Sequence, residues 1–231
     1  MKPKLIIGNK NYSTWSLRPW LLMKEAGIEF DEHRILLDTP TMAKEIAEFS
    51  DAGKVPILQL GDVTVWDSLA IAETVAERWP EKKLWPEDPG ERAHARAISA
   101  EMHSGFAHLR NCMPMNCRAM GRKVHISDEL GDDINRIMEI WAECHKHYGD
   151  RGGWLFGDFS VAEDQIQTIL ELNPNSPLAA RAHLARGQLL LSRGATEAAV
   201  ADFRQALELD PQLAAAQAAL ARLRGAGKER G

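Results

Sequence analysis

The chain has 231 residues, enough at the usual ~150 residues per domain for one or two domains with cores of their own. With 45% hydrophobic and 26% charged residues, its composition excludes a wholly disordered, collagen-like or coiled-coil protein. Its 28 basic and 33 acidic side chains give a net charge of -5, so no cationic excess exists to hold a nucleic-acid backbone or an anionic membrane, and neither partner is expected.

Leu5-Ile6-Ile7 is a short β-branched run that predicts a strand. Ser16 to Ala26 has helical spacing, with Leu17, Trp20, Leu21 and Leu22 before Gly27, and Phe30 to Leu37 mixes apolar and charged residues like a half-buried strand. These three elements read as βαβ. A helix over Thr41 to Phe49 follows. Val55 to Leu60, the turn Gly61-Asp62 and Val63 to Trp66 then predict a hairpin, and a helix runs from Ser68 to Arg78. Pro80, Pro86 and Pro89 punctuate a linker. Beyond it, Glu91 to about Leu109 and Asp128 to about Tyr148 repeat apolar residues every three or four positions, which predicts two long helices facing a common core. No apolar run reaches the ~18 residues of a membrane span, and the apolar part of Met1 to Gly8 is too short for a signal peptide, so a cytoplasmic location is expected. Near residue 160 the composition changes. All seven tryptophans, both tyrosines and all eight methionines precede residue 155, and Phe203 is the only aromatic residue after Phe159. Residues 162–231 are rich in alanine and leucine and balanced in charge, which sets a seam at about 160–165.

The N-terminal βαβ, Tyr12-Ser13-Thr14-Trp15-Ser16-Leu17-Arg18 at the first helix, Gly53-Lys54-Val55-Pro56 at the hairpin and Trp66-Asp67-Ser68-Leu69-Ala70-Ile71 at the next helix resemble the thioredoxin-fold domain of a bacterial glutathione S-transferase. Ala100-Glu101-Met102-His103-Ser104 and Leu155 to Ala162 resemble the start of the transferase helical domain, so the likeness covers about residues 3–163. It implies glutathione as co-substrate and a small-molecule electrophile as its partner, and it leaves a homodimer open. The chemistry needs a thiolate at neutral pH, whereas a free thiol has a pKa near ~8.5. A hydroxyl donating at a helix N-terminus favours the anion, and by this resemblance Ser13 is that catalytic hydroxyl, with Thr14 and Ser16 as neighbours that could substitute. Ser13 equally suits a plain helix cap. The resemblance implies a cis bond at Val55-Pro56 that leaves the Val55 peptide to pair with the cysteinyl part of glutathione. It gives Asp67-Ser68 the γ-glutamyl end, although family members often carry Glu where this chain has Asp67. Arg18 is expected to support the fold. Met102, His103 and Phe106 are candidates for the electrophile pocket, or else helix packing. Thioredoxin-type dithiol exchange is excluded at Ser13-Thr14-Trp15-Ser16, which has no cysteine. Cys112, Cys117 and Cys144 form no Cys-x-x-Cys, and of the residues after Cys144 only His147 shares its helical face, so no metal is expected.

Gly187, Gly194, Ala199, Phe203, Ala206 and Pro211 match the small, aromatic and helix-stop positions of a tetratricopeptide repeat. Leu170-Glu171-Leu172-Asn173-Pro174 recurs 37 residues on as Leu207-Glu208-Leu209-Asp210-Pro211. Ser160-x-x-Glu163 reads as a capping box through which a transferase helix runs into repeat sequence. The expected fold is an α/β thioredoxin-like domain followed by an all-α region. Its parts are a glutathione-binding domain at 1–80, a linker at 81–88, a partial transferase helical domain at 89–163, repeat helices at 164–224 and a disordered tail at 225–231. So short an array should lean on the first part for its core. Two functions compete: a transferase-like enzyme that activates the glutathione thiol, and a catalytically idle fold that serves with its repeat as a protein-interaction adaptor.

Overall fold

The computed structural model describes residues 2–119, 123–148, 155–156, 158–162, 183–184, 191 and 196–228. The sequence alternation of the first strand explains the layering. In β1 (Lys4–Ile7), Leu5 and Ile7 enter the larger core on one face of the sheet, while Ile6 enters a second cluster on the other. β1 is therefore buried on both faces. It pairs in parallel with β2 (Asp31–Arg34), reached through α1 (Thr14–Glu25), and antiparallel with β3 (Ile57–Leu60), which forms the hairpin with β4 (Val63–Trp66). The sheet order is β2-β1-β3-β4. α1 and α3 (Ser68–Arg78) cover one face with Leu22, Met23, Ile71, Ala72 and Val75. On the other face α2 (Met42–Ala47) adds Ile46 to Ile6, Ile35 and Ile57.

The linker begins as a single 3-10 turn over Pro80–Lys82 and then turns inward: Leu84 and Trp85 are buried in the main core, and the Val161 N–H donates to the Leu84 carbonyl at 2.9 Å. It ties the sheet domain to the helical region instead of holding them apart. The long helix expected from Glu91 to Leu109 is two helices, α4 (Pro89–Ser104) and α5 (Ala107–Cys112). The break has a local cause. A Cβ on Gly105 would lie 2.8 Å from the Glu101 carbonyl oxygen, and Phe106 has φ +62, so the chain turns there while Arg110 donates back to the Gly105 and Met102 carbonyls. α6 (Asp128–Tyr148) has the expected bounds, and its Leu130, Ile134, Ile137, Ile140 and Cys144 join the main core.

Further on, α7 (Thr196–Leu209) and α8 (Ala214–Lys228) form a helical hairpin that turns at Pro211, with Ala199, Phe203 and Ala206 fully buried. Its cluster of Ala199, Phe203 and Leu220 gathers Leu184, Leu191, Val200, Leu207, Ala219 and Leu223. Among the described residues, this cluster and the main core, whose last member is Ala162, have no residue in common. Most of the segment through which the array is expected to lean on the first part, 163–195, lies outside the described residues. α8 also continues to Lys228, into the stretch 225–231 expected to be disordered, because extending an existing helix fixes one residue per added hydrogen bond and tolerates glycine at about 1 kcal/mol. Glu163, 170–174, Gly187 and Gly194 lie outside the described residues. Among those described, no helix is long and apolar enough to cross a membrane.

Candidate functional site

Three chain segments meet at one edge of the sheet because of strand direction. β1 and β4 end there and antiparallel β3 begins there, with Ile57 opposite both Ile6 and Trp66. Continuing that register by one residue sets Pro56 beside Ile7 and Asp67. α1 and α3, which follow β1 and β4, thus start on the same side, and two helix N-termini with unpaired N–H groups flank the Val55-Pro56 bond, which is cis.

Ser13 is the N-cap of α1. Its Oγ accepts from the Ser16 N–H at 3.4 Å and donates to Ser16 Oγ at 3.0 Å, while Ser16 Oγ accepts from the Gly8 N–H at 2.9 Å. The fully buried Ser16 therefore ties the helix start to the end of β1. Thr14 opens the helix and is half-buried. Asp67, with φ +75, caps α3: its Oδ1 accepts from the Leu69 N–H at 2.9 Å and the Ala70 N–H at 3.3 Å. Ser68 is 1% exposed, and its Oγ has no hydrogen-bond partner among the described residues, which is costly for a buried hydroxyl unless something supplies one. Val55 lies half-buried just before β3 begins, and Pro56 is buried.

The electropositive character of this edge has further sources. Trp15, two residues past Ser13, has the Arg18 guanidinium 4.5 Å and the Arg110 guanidinium 4.6 Å from its ring centre. Arg18 is fully buried, as befits the supporting role expected of it. Burial lowers the Arg110 guanidinium below its ordinary value, with Asp133 pulling the other way, and the group stays charged at neutral pH. The Cys117 N–H donates to the Asn11 carbonyl at 2.9 Å, which folds the segment after α5 against the residues leading into Ser13.

Of the three pocket candidates on and after α4, only His103 reaches the edge. Met102 is fully buried and Phe106 is 7% exposed, both within the main core. Both share the cluster that holds the buried α6 side chains, the packing role that is their alternative. His103 instead lies 3.1 Å from Asp67 Oδ2 and meets the Trp15 ring edge-on at 5.2 Å. Sequence reasoning missed this bridge and the Arg110 stack on Trp15, and no spacing signal marks either. A separate cavity of about 240 Å³ lies between the linker and residues 156–160, lined in part by Trp85, Asp88, Phe156 and Ser160, and none of the site residues named above borders it. Among the described residues, no group of three His, Cys, Asp or Glu side chains is placed to hold a metal ion.

Residues 12–78, which hold Ser13, Thr14, Val55, Pro56, Asp67 and Ser68, match the family model for the glutathione S-transferase N-terminal domain. Over those residues the chain fits the pattern of that domain. Residues 156–214 match the tetratricopeptide repeat model, a span that starts inside the transferase core at Phe156. The chain is 34% identical over 110 residues to a probable maleylacetoacetate isomerase of Caenorhabditis elegans, covering 48% of this chain and 50% of that protein. It is 29% identical over 132 residues to glutathione S-transferase 1 of Dianthus caryophyllus, covering 57% and 54%. The chain spans about half the length of the curated relatives it matches. In fold it is similar to a Burkholderia glutathione transferase homolog with bound glutathione, at a TM-score of 0.55 and 22% identity over 74% of this chain and 80% of that one.

Proposed function

We propose that this chain binds glutathione at the sheet edge where α1 and α3 begin and presents its thiolate to a small electrophile. The observation that carries the reading is the buried, partnerless Ser68 Oγ beside the Asp67 cap, at a helix N-terminus that converges with Ser13 and the Val55 peptide. A carboxylate from the γ-glutamyl end would complete the Ser68 hydroxyl and meet the Ser68 N–H, the Leu69 and Ala70 N–H groups being taken by Asp67, while Asp67 Oδ2 faces the ammonium. The Val55 peptide would pair with the cysteinyl backbone. That places the sulfur toward Ser13, whose hydroxyl donates to the anion with the α1 N-terminus behind it. The thiol proton goes to solvent, and the thiolate forms a C–S bond to the electrophilic carbon, either expelling a leaving group such as chloride or breaking an activated C=C π bond whose electron pair then takes up a proton.

The names of the C. elegans, rat and mouse relatives add a finer possibility. A thiol that adds to an activated double bond and is then expelled leaves the bond isomerised, so glutathione-dependent isomerisation belongs beside conjugation among the reactions to assay. Retention on immobilised glutathione together with turnover of a chlorodinitroarene tests the main reading. The separate repeat core supports the adaptor reading. Retention without turnover of either a nitroarene or a cis-enedione would favour the adaptor; failure of retention would refute the glutathione site.

A further inference from the structure

We propose that His103 is the positioning residue through which the helical region holds both halves of the glutathione site, by fixing the carboxylate plane of Asp67; the inference rests on the glutathione reading above. His103 lies in the last turn of α4, outside the matched N-terminal domain, and its side chain is 26% exposed. Its two contacts fall on different elements. Nε2 is 3.1 Å from Asp67 Oδ2 at the start of α3, and the ring meets Trp15 in the first turn of α1 at 5.2 Å with an interplanar angle of 71°. Trp15 is itself held by the Arg18 and Arg110 guanidinium groups, so the surface on which the imidazole rests is fixed. His103 Nδ1 is buried and has no hydrogen-bond partner among the described residues, which leaves Nε2 as the polar anchor of the ring.

The consequence lies in what Asp67 has left to offer. A carboxylate accepts about four hydrogen bonds. Oδ1 already takes the Leu69 and Ala70 N–H groups, and His103 Nε2, 3.1 Å from Oδ2, occupies one side of that oxygen and can donate to it when it carries a ring proton. One acceptor position on Oδ2 remains for an ammonium, and its direction is set by the carboxylate plane. The cap restrains Oδ1 only within the tolerance of two hydrogen bonds, one of them 3.3 Å long, so the planar carboxylate can still librate about Cβ–Cγ and carry Oδ2 with it. With His103 in place both oxygens are fixed, so the ammonium of glutathione meets a preorganised acceptor and less side-chain ordering is needed on binding.

Retention of the parent on immobilised glutathione decides the underlying reading. In a retained parent, His103→Ala should raise the glutathione KM about fivefold to tenfold with kcat changed less than about twofold, since positioning of the ground-state ligand is what is lost. His103→Gln, whose amide can donate to the same oxygen, should restore most of that affinity. With Asp67→Asn already present, His103→Ala should add less than about twofold, because the residue it positions is gone. An unchanged KM in His103→Ala, equal losses in the Ala and Gln variants, or effects additive with Asp67→Asn would overturn the proposal. Thermal unfolding of the ligand-free parent, the two single variants and the double variant tests the pairing without glutathione. Non-additive Tm shifts are expected, and additive shifts would overturn it even if the parent binds glutathione. If the parent is not retained, the glutathione reading fails, and this ligand-free cycle still decides the pairing.

Discussion

The Ser13 hydroxyl donates to Ser16 Oγ, which keeps the Gly8 N–H as a partner if Ser13 turns away. Turning toward a thiolate would exchange a neutral hydrogen bond for a charge-assisted one of roughly twice the strength. The proposed role predicts that Ser13→Ala lowers turnover, by up to about tenfold for each unit by which the hydroxyl had depressed the thiol pKa when the pH is below that pKa, with a smaller change in glutathione KM. The sign with pH follows. Below the thiol pKa the variant holds less thiolate than the parent, and the two rates converge as pH rises through the higher pKa of the variant. Equal rates of parent and variant from about pH 6 to 9 would rule out Ser13 and turn attention to Thr14 and Ser16. Ser68→Ala should act differently. It removes a hydroxyl proposed to meet a carboxylate, a bond of about 1.5–3 kcal/mol, so glutathione KM should rise tenfold or more at nearly constant kcat. Steady-state kinetics in both substrates would show this, and an unchanged KM would remove Ser68 from the site.

Helix ends in this protein were readable from sequence where a cap or turn residue marks them and unreadable where packing makes the break. The bounds Ser68–Arg78 and Asp128–Tyr148 follow from periodicity and Asx or Ser starts. The strand expected over Phe30 to Leu37 is only Asp31–Arg34, because pairing to the four residues of β1 limits its length. The α4–α5 break shows no sequence signal beyond one glycine, since it depends on the Glu101 carbonyl above Gly105 and on Arg110 reaching back. Gly105→Ala should therefore destabilise the fold by about 1–3 kcal/mol in a denaturant titration, by overpacking against backbone. Between helices, Arg136 on α6 donates to both Glu101 oxygens on α4, at 2.6 and 2.9 Å, and holds the Glu101 carboxyl below its ordinary range. A depressed acid contributes stability above its unfolded pKa of about 4.3 and loses it as pH falls through the lower folded value. Exposure of both side chains limits the gain to under about 1 kcal/mol. Glu101→Gln should cost that amount at pH 7, and the difference from the parent should vanish in acid once the parent carboxyl is protonated, as urea titrations at both pH values would show.

Besides the small cluster under α2 on the other face of the sheet, the described residues form two apolar cores that do not merge. The larger one runs from Leu5 through the linker residues Leu84 and Trp85 to Ala162, so the sheet and the first helices stand or fall together. Phe203 anchors the other, fully buried against Ala199 and Leu220. Phe203→Ala should cost that hairpin about 3–5 kcal/mol, more than two helices with so small a core are expected to spare. Amide exchange should then accelerate across 196–228 and stay unchanged in β1 and β3, with glutathione retention intact. Acceleration in the strands as well would mean that the two parts share stability after all.

By itself the sequence determined the local elements: the alternation of Leu5, Ile6 and Ile7, the polar residues that open α1 and α3, the Gly61-Asp62 hairpin and the repeat pattern around Phe203. Each is encoded within a few residues by capping, turn chemistry or periodicity, so no knowledge of the rest of the chain is needed. The tertiary structure decided which side chains meet. Met102 and His103 are adjacent in sequence, yet one is sealed in the core while the other reaches Asp67. A helix turns successive residues by about 100°, and only the packing of α4 against α6 and α3 selects which direction becomes interior and which becomes site.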